Sequence, residues 1–154
     1  MAKTTFQGVV RSNGGAGKGK ATPGVVVMSE IISFNPVGAG AVAVRIGESA
    51  TAGETFVLPG GAIPISYLGL GGATGGTNPT VDIGTAVDPD GFFNEVDADL
   101  KGTLVGASGA LVTSAGTSGG PVTVTANQGS SAATGGTTTG VFTYSIADNG
   151  KDSE

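Results

Sequence analysis

The sequence predicts an all-β chain: a single β-sandwich, of jelly-roll type, preceded by a flexible, basic, glycine-rich N-terminal arm. Three observations predict it. Short β-branched runs with period-two alternation recur along the chain. The 30 glycines among 154 residues fall between those runs as turn punctuation, with no G-X-Y period that would signal collagen. No long stretch carries the period of an amphipathic helix. A chain of this length is one domain, able to bury roughly two thirds of its unfolded surface. Its boundaries are an arm over residues 1–24 and a sandwich domain over 25–154.

The arm is set apart by charge. Lys3, Arg11, Lys18 and Lys20 give the first 29 residues +4, while the remainder carries −9, so arm and body are expected to contact different things. Residues 12–24, SNGGAGKGKATPG, hold too little apolar surface to bury and too much glycine to keep one conformation. Gly14, Gly19 and Lys20 fit the G-x-x-x-x-G-K frame of a phosphate-binding loop. That frame needs Ser or Thr next and a helix behind it, whereas Ala21 follows and Thr22-Pro23-Gly24 stops a helix.

The body reads as strand after strand. VVVMSEIISF at 25–34 is an apolar run with a polar centre, expected as a buried strand bent or bulged at Ser29-Glu30. AVAVRI at 41–46 alternates, with Val42, Val44 and Ile46 on one face and Ala43 and Arg45 on the other. TFVL at 55–58 and IPISYLGL at 63–70 follow, and Pro64 argues for an edge position, since proline cannot donate to a ladder. TVDI at 80–83, TLV at 103–105 and ALVT at 110–113 are further short runs. PVTVTA at 121–126 turns Val122 and Val124 inward and Thr123 and Thr125 outward. TGVFTYSIA at 139–147 aligns Phe142, Tyr144 and Ile146 on one face. These last two are expected to pair with each other around a flexible tip, NQGSSAATGGTT.

Chemistry has few places to reside. The chain has no cysteine, histidine or tryptophan, which excludes disulfides, thiol nucleophiles, Cys/His zinc sites and Ser-His-Asp arrangements. No cofactor and no enzymatic activity are expected. Charged residues are 12% of the chain, against an ordinary share of about 25%. A surface of that kind suits a protein packed among neighbours. The opening MAKTTFQG has no apolar core of a signal peptide behind it, and no run reaches the ~18 residues of a membrane span; synthesis in the cytoplasm without export is expected.

One stretch concentrates acid: VDIGTAVDPDGFFNEVDADLKG, residues 81–102, with Asp82, Asp88, Asp90, Glu95, Asp97 and Asp99. Counted from Asp88, glycine falls at the fourth position, so an EF-hand frame fails. A looser calcium site from Asp88, Asp90, Asp97 and Asp99 remains a candidate. Glycosidase chemistry would want an aromatic cleft that eight aromatic residues hardly supply. The structural reading is stronger. Asp88-Pro89-Asp90-Gly91 is a turn signal, Phe92 and Phe93 anchor it, and Asn94 or Asp97 would cap a short helical turn through 95–100.

The phrase TVDIGTAVDPDGFFNEVDADLKGTLVG, with the VTVTA strand, the Gly/Thr-rich tip and the closing VFTYSI strand, resembles a group of small structural proteins of tailed bacteriophages. These carry an aspartate-rich corner in a β-sandwich and are taken to be head decoration, or cement, proteins. The similarity spans about residues 30–147, and the basic opening is similar to such proteins of marine phages. It brings no catalytic residues. The resemblance implies a virion protein on the outer capsid surface, partnered by the major capsid protein and by itself, as a homo-oligomer and most naturally a trimer. Lys3, Phe6, Val9, Val10, Arg11, Lys18 and Lys20 are the expected capsid or neighbour contacts, the cations meeting acidic patches and the apolar residues adding a strand to a neighbour's edge. A tail- or fibre-associated receptor-binding module is the alternative, although loops 71–79 and 127–138 lack the aromatics that sugars stack on. Neither a membrane nor a nucleic acid is an expected partner, because four basic residues on an acidic body make a poor electrostatic footprint.

Overall fold

The computed structural model describes residues 25–37, 40–72, 75–99, 101–112 and 120–147. The arm and its seven candidate contact residues, with the Gly14-Gly19-Lys20 frame, lie outside them. The described strands are β1 (Val25–Phe34), β2 (Val42–Ala43), β3 (Arg45–Ile46), β4 (Val57–Leu58), β5 (Ala62–Gly72), β6 (Thr80–Gly84), β7 (Phe93–Asp97), β8 (Lys101–Gly106), β9 (Val122–Thr123), β10 (Thr125–Gln128) and β11 (Thr138–Ala147). The chain is all-β, as the alternating runs predict.

Two antiparallel sheets share one core. The first has the order β3-β1-β11-β5-β8 and the second β2-β10-β6-β7, with a small β4-β9 ribbon beside them. The first sheet contributes Ile32, Phe34, Tyr67 and Phe142 to that core, and the second contributes Val81, Ile83, Val96 and Ala126. Phe142 is the hub: Phe56 meets it edge-on at 5.2 Å, Phe93 at 5.4 Å and Phe92 at 6.3 Å between ring centres. Edge-to-face contacts of this kind add about 0.5–1.5 kcal/mol each beyond burial. The Phe142, Tyr144 and Ile146 face predicted for β11 is the core face, and Ile146 lies at its margin.

Several expectations change once pairing is known. AVAVRI is divided at Val44, so that β2 joins the second sheet and β3 the first. The buried Val44 carbonyl accepts from Phe56 N at 2.8 Å, and Phe56 O accepts from Val124 N at 3.1 Å. The chain crosses between sheets there, a change of partner that alternation alone does not encode. PVTVTA divides at Val124 for the same reason, and Thr125, expected outside, is buried. β10 and β11 are not paired with each other; they lie in different sheets.

β1 shows no bulge at Ser29-Glu30 against β11, its register running unbroken from Val25↔Ala147 to Phe34↔Thr138. Nor is it buried on both faces, since Val27 and Ile31 are exposed. β5 is interior, not an edge, yet its pairing with β8 begins only at Ser66 and Pro64 sits at a register break with β11. The missing proline donor is thus tolerated at an irregularity, locally without a second neighbour. ALVT does not form a strand over its described part: Leu111 and Val112 take helical backbone, with Leu111 N donating to Gly91 O at 2.8 Å.

Candidate functional site

The acidic segment is built from β6, the turn after it, and β7. Gly91 N donates to Asp88 O at 3.2 Å, closing the Asp88-Pro89-Asp90-Gly91 turn with proline at its second position. Thr85 fastens the approach, its Oγ1 accepting from Asp88 N at 3.1 Å and its own N–H donating to Asp88 O at 2.8 Å. The turn folds onto Gly84, where a Cβ would stand 2.2 Å from Asp88 O. Phe92 and Phe93 are fully buried, as expected of anchors. Two consecutive residues can both face inward because Phe92 lies in the bend and Phe93 begins the strand.

The helical turn expected through 95–100 is absent: residues 93–97 are β7, paired with β6. Phe93 opposes Ile83 and Val96 opposes Val81, so Asn94 and Glu95 together face Asp82. This bulge is what allows residues three apart to point into one core. Glu95 adopts the left-handed region at φ 53°, and the Asp82 carboxylate holds it there by accepting Glu95 N at 2.8 Å. Asn94 instead donates to Asp90 Oδ2 at 3.4 Å, and Asp97 Oδ1 accepts from Asp99 N at 2.9 Å, a turn closed two residues along rather than a helix cap.

Glu95 reaches across to the loop after β10. Its carboxylate accepts from Ser130 N at 2.8 Å, from Ser130 Oγ at 2.9 Å and from Thr80 Oγ1. Those bonds, Thr80 first, hold the carboxyl below its ordinary range. Burial raises Asp82, with the neighbouring Glu95 and Asp90 charges adding to it. Burial and then the hydrogen bond and charge of Asp90 raise Asp88. Ser131 ties the same loop to the other tip, its Oγ donating to Thr77 O at 2.8 Å. Loops 75–79 and 129–137 therefore form one joined surface.

Among the described residues, no group of three or more carboxylates converges on a point where a metal ion could sit. Asp88 and Asp90 are neighbours, whereas Asp97 and Asp99 belong to the opposite end of β7. No protein-family model, curated protein or solved structure matches this chain. The corner's chemistry must be read from its bonds, and they are spent on neighbouring backbone N–H groups and hydroxyls of the same corner. Sequence reasoning missed Thr80 and Ser130, because partners 15 and 35 residues from Glu95 leave no local pattern. Among the described residues no helix is long and apolar enough to cross a membrane.

Proposed function

We propose that the chain is a structural protein of a tailed-bacteriophage virion, bound to the outside of the capsid, where it stabilises contacts between capsomers. The observation that carries this reading is the use made of the acidic corner. Asp82, Glu95 and Asp97 each accept backbone N–H groups, bonds that pin the β6-β7 bulge, the loop after β10 and the turn leaving β7 in the manner of a structural corner. The corner is also the segment on which the resemblance to phage decoration proteins rests.

The sandwich is proposed to be a jelly roll. Its support is the strand order, in which β1-β11-β5-β8 faces β2-β10-β6-β7 and each sheet sets early strands beside late ones. That is the alternation two nested Greek keys produce, an architecture recurrent in viral capsid domains. The partners in this reading are the major capsid protein and further copies of the chain. Contacts come from the arm: Lys3, Arg11, Lys18 and Lys20 against acidic patches, and Phe6, Val9 and Val10 along a neighbouring strand edge. No catalytic role and no cofactor belong to it.

The test is binding of the full chain, and of a chain lacking residues 1–24, to expanded capsids, followed by cryo-EM of the particles. Density on the outer head surface, lost with the arm, is the expected result. Density in the tail would favour the fibre-associated alternative and turn attention to the joined loops 75–79 and 129–137. Unchanged capsid binding without residues 1–24 would sink the arm's part in the proposal.

A further inference from the structure

The face of the first sheet turned away from the core is unlike the outside of an ordinary antiparallel sheet, which is polar where it meets water. Its register lays out three successive rows across the strands. One runs Ile31, Val141, Leu68, Leu104. The next is Ser29, Thr143, Ser66, Gly106, and the third Val27, Ser145, Ile63. None of these residues is charged. Leu104 is 67% exposed, Val27 60% and Ile31 41%, and Ile65, the extra residue where β5 and β11 lose register, is exposed beside them.

The polar groups on this face are already engaged. Ser29 Oγ and Thr143 Oγ1 lie 3.0 Å apart in a hydrogen bond, and Ser145 Oγ donates to Ile63 O at 3.5 Å. Arg45, one row beyond at Ser33, directs its guanidinium to Gly53 O and Thr55 Oγ1. Lys101, opposite Leu70 at the far end of β8, is the one exposed cation bordering the rows among the described residues, and the rows themselves offer apolar area with little call for water and no charge.

We propose that this face is the self-association surface of the protein, covered by the same face of a second copy. Charge selects that occupant: copies of a chain with net charge −5 repel one another least where neither presents a charge. Area agrees. With strands of 2, 10, 10, 11 and 6 residues, a spacing of about 4.8 Å and a rise of about 3.4 Å per residue give roughly 600 Å² in projection per copy for the whole sheet face. Protruding side chains raise the accessible area above the projection, towards the roughly 800 Å² per partner of a standard interface.

Symmetry agrees as well. A two-fold axis running along the strands sets each apolar row against its own reverse, giving an isologous contact that closes at two copies. Sheets so opposed pack about 10 Å apart with strands near −30°. The geometry thus points to a dimer where the resemblance implies a trimer. The inference does not depend on a virion role.

Sedimentation velocity on the full chain over a concentration series tests it, with Ile31→Lys and Leu104→Lys on the face and Val87→Lys on the exposed corner loop as control. The expected result is a two-chain species for the full chain and for Val87→Lys, with self-association weakened at least tenfold in either face variant and circular dichroism melts showing all of them folded. A monomer at tens of micromolar overturns the proposal, as does a dimer or trimer indifferent to both face lysines. A monomer that dimerises only after deletion of residues 1–24 also overturns it, assigning the face to the chain's own N-terminal segment. Capsid binding retained by a monomeric Leu104→Lys would leave the virion reading standing alone. Lost capsid binding with an intact dimer would do the reverse.

Discussion

Tyr67 on β5 lies over Gly140 on β11, where a Cβ would approach the phenol ring and its oxygen to 2.3 Å. The hydroxyl is buried without a hydrogen-bond partner, and burial raises its pKa well above the ordinary value. Two outcomes follow from one contact. Gly140→Ala overpacks the core and is expected to lower stability by about 1–3 kcal/mol in denaturant melts. Tyr67→Phe removes an unpaired polar atom and is expected to hold or raise stability, since an unsatisfied buried group costs about 1–3 kcal/mol; a clear loss would mean the hydroxyl has a partner. Glu95 gives a pH prediction. Its folded pKa is lowered by Thr80 and Ser130, so its stabilisation is present above the unfolded pKa and is lost as pH falls through the folded one. Asp82 and Asp88, raised on folding, act in the opposite sense and stabilise only towards acid. Glu95→Gln is expected to cost about 1 kcal/mol at neutral pH, limited by exposure. That difference should close below the ordinary glutamate range in paired melts at pH 7 and pH 3.

At the scale of elements, the turn and its two phenylalanines were legible because they are local: proline, aspartate and glycine at fixed offsets dictate Asp88–Gly91, and an adjacent Phe pair dictates an anchor. Phe92→Ala or Phe93→Ala is expected to cost about 3–5 kcal/mol, because each ring meets Phe142 in the fully buried core. The bulge in β7 was not legible. Asn94-Glu95 reads as the start of a helical turn by composition, and only its pairing with Asp82 across the ladder makes it a strand. The same pairing accounts for the acids. Calcium at millimolar concentration is expected to leave the thermal melt unchanged, as no three described carboxylates converge; a rise of several degrees would revive Asp88, Asp90, Asp97 and Asp99 as ligands.

For the whole molecule, the core that the described residues build runs from Ile32 to Tyr144. Deleting residues 1–24 is therefore expected to leave the thermal midpoint within about a degree while removing capsid binding, which separates docking from folding. Composition and alternation were enough for the class of the fold, the rough position of most of its strands, and the inward face of β11, because these follow from local propensity and from a side-chain period of two. They were also enough to exclude cysteine and histidine chemistry. Which strand lies beside which was another matter. Val44 and Val124 pass the chain between sheets, β10 and β11 separate instead of pairing, and Val27 and Ile31 reach the surface although β1 reads as buried. Each of these outcomes depends on contacts between residues far apart in the chain, whose free energy is settled by how two faces fit and not by the order of residues within either.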